Sequence, residues 1–304
     1  MTMRFALPLL LLLFVAPPLP IHKKHRQEPD WSKVQIKSTK IAGNVYMLEG
    51  AGGNIGVSVG ADGILIVDDQ FAPLADKIKA SLKTLGQGKL RFVLNTHWHG
   101  DHTGGNAAFS ADTTIVAHDN VRKRMSTEQR SEFFNSTSPA SPKEALPVIT
   151  FDQSLTVHFN GEEIRAIHFP NGHTDGDSVI FFTTSNVVHL GDDFFSGRFP
   201  FVDLDSGGSV VGLTKNIGEL LTKIPAGAKL IPGHGPISTV EDLKAYHRML
   251  VETTTIVRDK IAAKKTLVQI KSEGLPAEWN SWGTGFIKTD QWLELVYRSL
   301  TTNK

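Results

Sequence analysis

One segment governs what this chain can be. Asn95-Thr96-His97-Trp98-His99-Gly100-Asp101-His102-Thr103-Gly104-Gly105-Asn106 puts three histidines and an aspartate within six residues. It follows the apolar run Leu90–Leu94, which reads as a buried strand. In extended backbone, residues i and i+2 point the same way, so His97 and His99 can grip one ion. Gly100 lets the chain turn, and Asp101 and His102 can then face a neighbouring ion. Imidazole nitrogen with some carboxylate oxygen is a zinc-type donor set that also suits iron or manganese. The chain has no cysteine. Cysteine zinc fingers, iron–sulfur clusters, disulfide scaffolds and cysteine nucleophiles are therefore excluded, and any metal rests on histidine and carboxylate.

The rest of the composition fits a folded enzyme-sized body. Of 304 residues, 40% are hydrophobic and 21% charged, enough for a core and incompatible with general disorder. This length suits two domains or one large layered domain. The net charge of +1 offers no basic face for a polyanion, so nucleic acid is not an expected partner. Residues 5–16 form an apolar run behind a basic start, too short for the roughly 20 residues that span a bilayer. It reads as the core of a signal peptide covering about residues 1–20, and an uncleaved anchor is the other reading. Pro17 and Pro18 make a poor cleavage site after Ala16. Residues 21–38, with the basic stretch 22–26, read as a solvated linker. A secreted or periplasmic location follows, without stable membrane insertion once the leader is removed.

Beyond residue 38 the pattern alternates strands and helices. Residues 41–48, 55–59 and 64–67 read as strands, with Gly50, Gly52 and Gly53 in one turn and Asp62-Gly63 in the next. Leu74, Ile78 and Leu82 lie on one helical face, ended by Gly86. Residues 90–94 and 113–117 are further strands, and 126–147 a polar surface excursion. Strands then recur at 155–158, 164–168, 179–182, 187–190 and 229–231. Helices carry Val210, Leu213, Ile217, Leu220 and Ile224, then Leu243, Tyr246, Leu250, Val257 and Ile261 behind a Thr239/Asp242 capping box. Leu293, Val296, Tyr297 and Leu300 mark a last helix. Two strand-rich halves, each ending in helix and without a short repeat, predict a layered α/β body.

Three more polar positions end strands or sit in turns: His173 in Asn171-Gly172-His173-Thr174, Asp192 in Gly191-Asp192-Asp193, and His234 in Pro232-Gly233-His234-Gly235. Each is weak alone. In order after the first motif, they make the chain resemble the metallo-β-lactamase superfamily. The resemblance implies a four-layer αββα fold over residues 39–240, two mixed sheets face to face with helices outside. Residues 241–304 would be a helical extension packed on the same domain. It further implies that His97, His99 and His173 hold one Zn2+, that Asp101, His102 and His234 hold a second, and that Asp192 bridges them as in glyoxalase II-like members. Asp68 resembles an aspartate that orients ligands, and a strand-end turn is its other reading.

The implied activity is a dinuclear zinc hydrolase, its shared water attacking an ester, thioester, lactone or β-lactam carbonyl. Asp101 would serve as the catalytic residue that orients water and passes a proton. A dedicated β-lactamase and an iron-dependent persulfide-type oxidoreductase are the alternatives. The expected partner is a small-molecule substrate. Trp98, Phe195, Arg198 and Phe199 are candidates for its pocket, with packing of the Phe cluster under the C-terminal helices as the competing reading. Trp279, Trp282 and Phe286 read as an anchor for the last helix. His118, His158, His168 and His189 match no ligand position. Asp175 and Asp177 read as surface-turn residues, and Asp193 as one whose loss costs little.

Overall fold

A computed structural model describes residues 29–302. The leader and the basic stretch 22–26 lie outside the described residues. The first sheet contains β1 (Lys37–Ala42), β2 (Val45–Glu49), β3 (Ile55–Gly60), β4 (Gly63–Val67), β5 (Leu90–Leu94) and β6 (Thr114–His118) in chain order. A small hairpin, β7 (Gln129–Ser131) and β8 (Ser136–Ser138), intervenes before β9 (Ile149–Phe151) closes the sheet on β6. The second sheet runs β10 (Ser154–Phe159), β11 (Glu162–His168), β12 (Ser178–Phe182), β13 (Val187–His189), β14 (Lys229–Ile231).

Pairing is antiparallel from β1 to β4 and parallel across β4, β5, β6 and β9. In the second sheet only the β13–β14 pair is parallel. Both sheets are thus mixed, each with a parallel edge region. The parallel strands are joined by crossovers that carry helix, as parallel pairing requires.

Side-chain alternation sorts the layers. On β4, Leu65 and Val67 face the second sheet, while Ile64 and Ile66 face outward onto α1 (Ala75–Leu85) through Ile78 and Leu82. On β12, Ile180 and Phe182 meet the first sheet, while Val179 and Phe181 face the other way. That outer face is covered by α5 (Val210–Lys223), α6 (Val240–Ala262) and α8 (Thr289–Thr301). Strands buried on both faces read as continuous apolar runs, as 64–67 and 179–182 do. The order helix, sheet, sheet, helix is the αββα arrangement. Among the described residues, no helix is long and apolar enough to cross a membrane.

Two segments differ from the sequence reading. Residues 41–48 are not one strand: Gly43 at φ 52 turns the chain between β1 and β2. An L residue rarely takes that conformation, and the alternation of apolar residues across the turn conceals it. The stretch 31–38 is not linker. Trp31 packs on Phe71 with ring centroids 5.0 Å apart, Lys77 Nζ donates to the carbonyls of Trp31, Ser32 and Val34, and β1 begins at Lys37.

Candidate metal centre

Strand ends deliver the polar groups to one edge of the sandwich. Asp68 follows β4, His97 to His102 follow β5, Asp192 follows β13 and His234 follows β14. His173 lies in the loop between β11 and β12. Carboxyl ends of parallel strands are where open α/β sheets place their sites.

Two clusters result. His97, His99, His173 and Asp192 offer one ligand atom each within 4.8 Å of one another, and so do Asp101, His102 and His234. In the first, His97 Nε2 and His173 Nε2 stand 3.1 and 2.8 Å from His99 Nδ1. The other nitrogen of each ring is engaged. His173 Nδ1 donates to the Phe201 carbonyl at 2.8 Å, and His99 Nε2 donates to Asp203 Oδ2 at 2.9 Å. His97 Nδ1 donates to Thr96 Oγ1 at 3.1 Å, and that hydroxyl in turn donates to Asp68 Oδ2 at 2.7 Å. These partners fix the tautomers, leaving three lone pairs converging on one point with no proton between them. Burial first, then His102, holds His97 well below the ordinary histidine value, and burial lowers His173 to about 4. Neutral imidazoles aimed at one another suit a cation and little else.

The second cluster is charged. His102 Nε2 lies 3.1 Å from Asp192 Oδ1 and 3.7 Å from Asp101 Oδ2. His234 Nε2 lies 3.3 Å from Asp101 Oδ2 and 3.5 Å from Asp192 Oδ1. Donors about 2.0–2.1 Å from a tetrahedral zinc lie roughly 3.3 Å apart, so these spacings suit a shared ion. His102 Nε2 and Asp192 Oδ1 are both buried and lack the alignment of a hydrogen bond. Burial works against a charged His234, yet Asp192 and Asp101 raise it to about 9, and the same carboxylates with Asp68 raise His102. Burial alone would push Asp192 up, but His102 and His234 hold it well below the usual carboxylate range. Without metal, protons supply the positive charge that this cluster demands.

Asp192 faces both clusters. Its Oδ1 is turned to His102 and His234, while Oδ2 lies 3.8 Å from His97 Nε2 and 3.5 Å from His173 Nε2. Close packing enforces that pose. A Cβ on Gly233 would stand 2.0 Å from Asp192 Oδ1, and one on Gly53 would stand 2.1 Å from the His102 ring. Asp68 also serves both sides, accepting from His102 Nδ1 at 2.7 Å and from the Thr96 N–H at 2.8 Å. It is fully buried at φ 64, a backbone conformation that costs free energy and is typically stored at functional sites.

Other groups depart from the sequence reading. Asp177 is buried, accepting from the Thr174 N–H and hydroxyl. Asp193 is fully buried and accepts from the His173 N–H at 3.2 Å. Burial raises both carboxyls, Asp177 to about 6, and two acids packed together keep a proton between them. Neither is a passive turn residue: together they hold the His173 loop. Asp175 is partly exposed and pairs with Arg124 at 2.7 Å. His189 is buried against Asn54, and His118 stacks on His168 with centroids 3.7 Å apart, away from either cluster.

The proposed pocket residues divide. Phe199 is 1% exposed and stacks on Trp292, so it belongs to the core under the C-terminal helices and lines no pocket. Phe195 is buried but stacks on His234 with centroids 5.1 Å apart. Trp98 meets His99 edge-on and otherwise packs on Val121, Met125 and Ala145. Arg198 is half-buried, its stem lying along Gly285. Trp279 is buried and Trp282 stacks on Tyr246, as an anchor would, whereas Phe286 is 56% exposed.

Sequence reasoning missed Asp203 and Asn54. Asn54 donates to the carbonyls of Pro232 and Gly235 at 2.9 and 2.8 Å, clamping the His234 turn. Neither sits in a recognisable motif. In sequence Asp203, within Asp-Leu-Asp of 203–205, resembles any turn residue, and only the folded chain brings it, buried, to His99.

Residues 38–269 match the metallo-beta-lactamase superfamily, and the chain belongs to it. The metallo-beta-lactamase type 2 of Bacteroides fragilis is 24% identical over 195 residues, 62% of this chain and 71% of that protein. The crystal structure of the DIM-1 metallo-beta-lactamase superposes with a TM-score of 0.58 at 19% identity, over 73% of this chain and 99% of that one. A double mutant of the sec-alkyl sulfatase PisA1 gives a TM-score of 0.67 at 15% identity, over 88% of this chain and 50% of that one. The protein is a metal-dependent hydrolase of this superfamily, with a candidate metal site at His97, His99, His173 and Asp192.

Proposed function

We propose that the chain is an exported dinuclear zinc hydrolase acting on a carbonyl-type ester, thioester, lactone or β-lactam. The single observation that carries this reading is Asp192, one oxygen turned to each histidine cluster. Two divalent cations held there would acidify a shared water towards neutrality and polarise the substrate oxygen. His97, His99 and His173 would hold one ion, and Asp101, His102 and His234 the other. Asp68 and Asp203 orient the rings. Asp101 is 29% exposed, the most open of the acidic groups in the two clusters, and it can accept a proton from water and deliver it to a leaving group. Export rests on the leader at residues 5–16. A small-molecule substrate is the partner, without nucleic acid.

The test is elemental analysis and a substrate panel on zinc-loaded protein. Two ions per chain and turnover of at least one carbonyl substrate support the reading. One ion or none under zinc-replete conditions rejects the dinuclear site. β-Lactams come first in the panel because a relative matching over 195 residues bears that name. Mass spectrometry of the expressed protein in each cell fraction tests the leader: intact Met1 on soluble cytoplasmic protein rejects export.

A further inference from the structure

The sequence places phenylalanines where solvent would be expected. Phe134, at the tip between β7 and β8, is 37% exposed, and Phe286, just before α8, is 56% exposed. They are far apart in sequence yet meet with ring centroids 5.6 Å apart. Phe134 also lies 4.7 Å from Phe201. Phe201 in turn stands 6.0 Å from the His99 ring and 5.9 Å from His173, whose Nδ1 its carbonyl holds. Three loops thus build one aromatic strip that begins at the three-histidine cluster and ends in solvent.

The strip is held open. The Glu132 N–H donates to Asp205 at 2.7 Å, and Arg298 pairs with Glu132 at 3.3 Å, so polar contacts through backbone and side chain pin the hairpin just before its phenylalanines. Asn135 takes φ 47 to turn the tip. Apolar rings kept exposed at the edge of a reaction centre need an occupant. Continuity with His99 and His173 selects a small molecule whose reacting end sits at the cluster over a second copy or a membrane.

We propose that Phe201, Phe134 and Phe286 bind the apolar tail of the substrate, so that the enzyme prefers ester-type substrates with a long alkyl or aryl group over short ones. The proposal rests on the hydrolase reading for its kinetic arm only. The test uses the zinc-loaded full chain and p-nitrophenyl esters from acetyl to octanoyl. In parallel, calorimetry compares octanoate with acetate.

Burying methylenes on this strip should raise kcat/KM at least tenfold from acetyl to octanoyl in the natural protein. In the double variant Phe134→Ala with Phe286→Ala, octanoyl turnover should fall at least tenfold, mainly through KM, and acetyl turnover less than threefold. Phe134→Leu keeps an apolar surface and should retain most of the chain-length rise. The same rise in natural protein and double variant overturns the proposal. So does a flat profile accompanied by a dimer that the double variant dissociates, which would make the strip a contact between copies. If no ester is turned over, the ester reading of the substrate fails separately. Tighter binding of octanoate than acetate, lost in the double variant, then upholds the strip, and equal binding of the two overturns it.

Discussion

Asp203→Ala isolates a contact that only the folded chain reveals. Asp203 Oδ2 accepts from His99 Nε2 at 2.9 Å, and the carboxylate is 3% exposed. That bond keeps the proton on Nε2 and the Nδ1 lone pair aimed at His97 and His173. A buried hydrogen bond to a charged group contributes about 1.5–3 kcal/mol. If all of it acts on ion binding, the loss is roughly 10- to 150-fold in affinity. Deleted partners of ligating histidines typically cost about 10–100-fold, in agreement. Only the three-histidine site should weaken, because His102 and His234 make no contact with Asp203. Asp203 Oδ1 also accepts from the Ser206 N–H at 3.2 Å, so the alanine loosens a turn as well. Asp203→Asn is the control: its one oxygen can serve either His99 or Ser206, and it should fall between natural protein and alanine. The assay is zinc competition against a chromophoric chelator, resolving two affinities. Both affinities within twofold of natural in Asp203→Ala would refute the reasoning.

Asp192→Ala should cost both ions and collapse turnover, about a hundredfold or more. Asp193→Ala should also impair the protein, contrary to its reading from sequence, by freeing the His173 N–H and unpairing Asp177; metal content and thermal unfolding of both variants check this. Zinc affinity should rise with pH up to about 9, where His234 loses its proton, because a bound ion must displace that proton; proton release on binding, measured in two buffers, checks the sign. In metal-free protein the raised His234 contributes stability that is full below its ordinary value of 6.5 and lost as pH rises through about 9; urea midpoints across that window check it. Phe199→Ala should destabilise by about 3–5 kcal/mol while leaving zinc content unchanged, as a core ring and not a pocket ring would.

The distribution of what the sequence shows follows from where each constraint acts. Asp68, His97 and His234 are legible because each comes just after an apolar run, Asp68 at once, His97 past Asn95-Thr96 and His234 past Pro232-Gly233, and the run marks the strand that carries it. β4 and β12 are legible as short continuous apolar runs because both faces are buried; patterning reaches only a layered α/β body, and the αββα order comes from the family resemblance. Asp203, Asn54 and the Asp177–Asp193 pair are illegible because nothing in their own neighbourhood sets them apart from turn residues. Their role comes from a partner 104, 181 or 20 residues away: His99 for Asp203, Gly235 for Asn54, His173 for Asp193. The phenylalanines mislead in the opposite direction. Phe199 lies close to Asp192 in sequence but is sealed against Trp292, while Phe134 lies in the polar 126–147 excursion and is carried to the site by a hairpin. Local sequence therefore reports the groups that would hold metal and Asp68 behind them, and tertiary structure alone reports Asp203, Asn54 and the surface a substrate would meet.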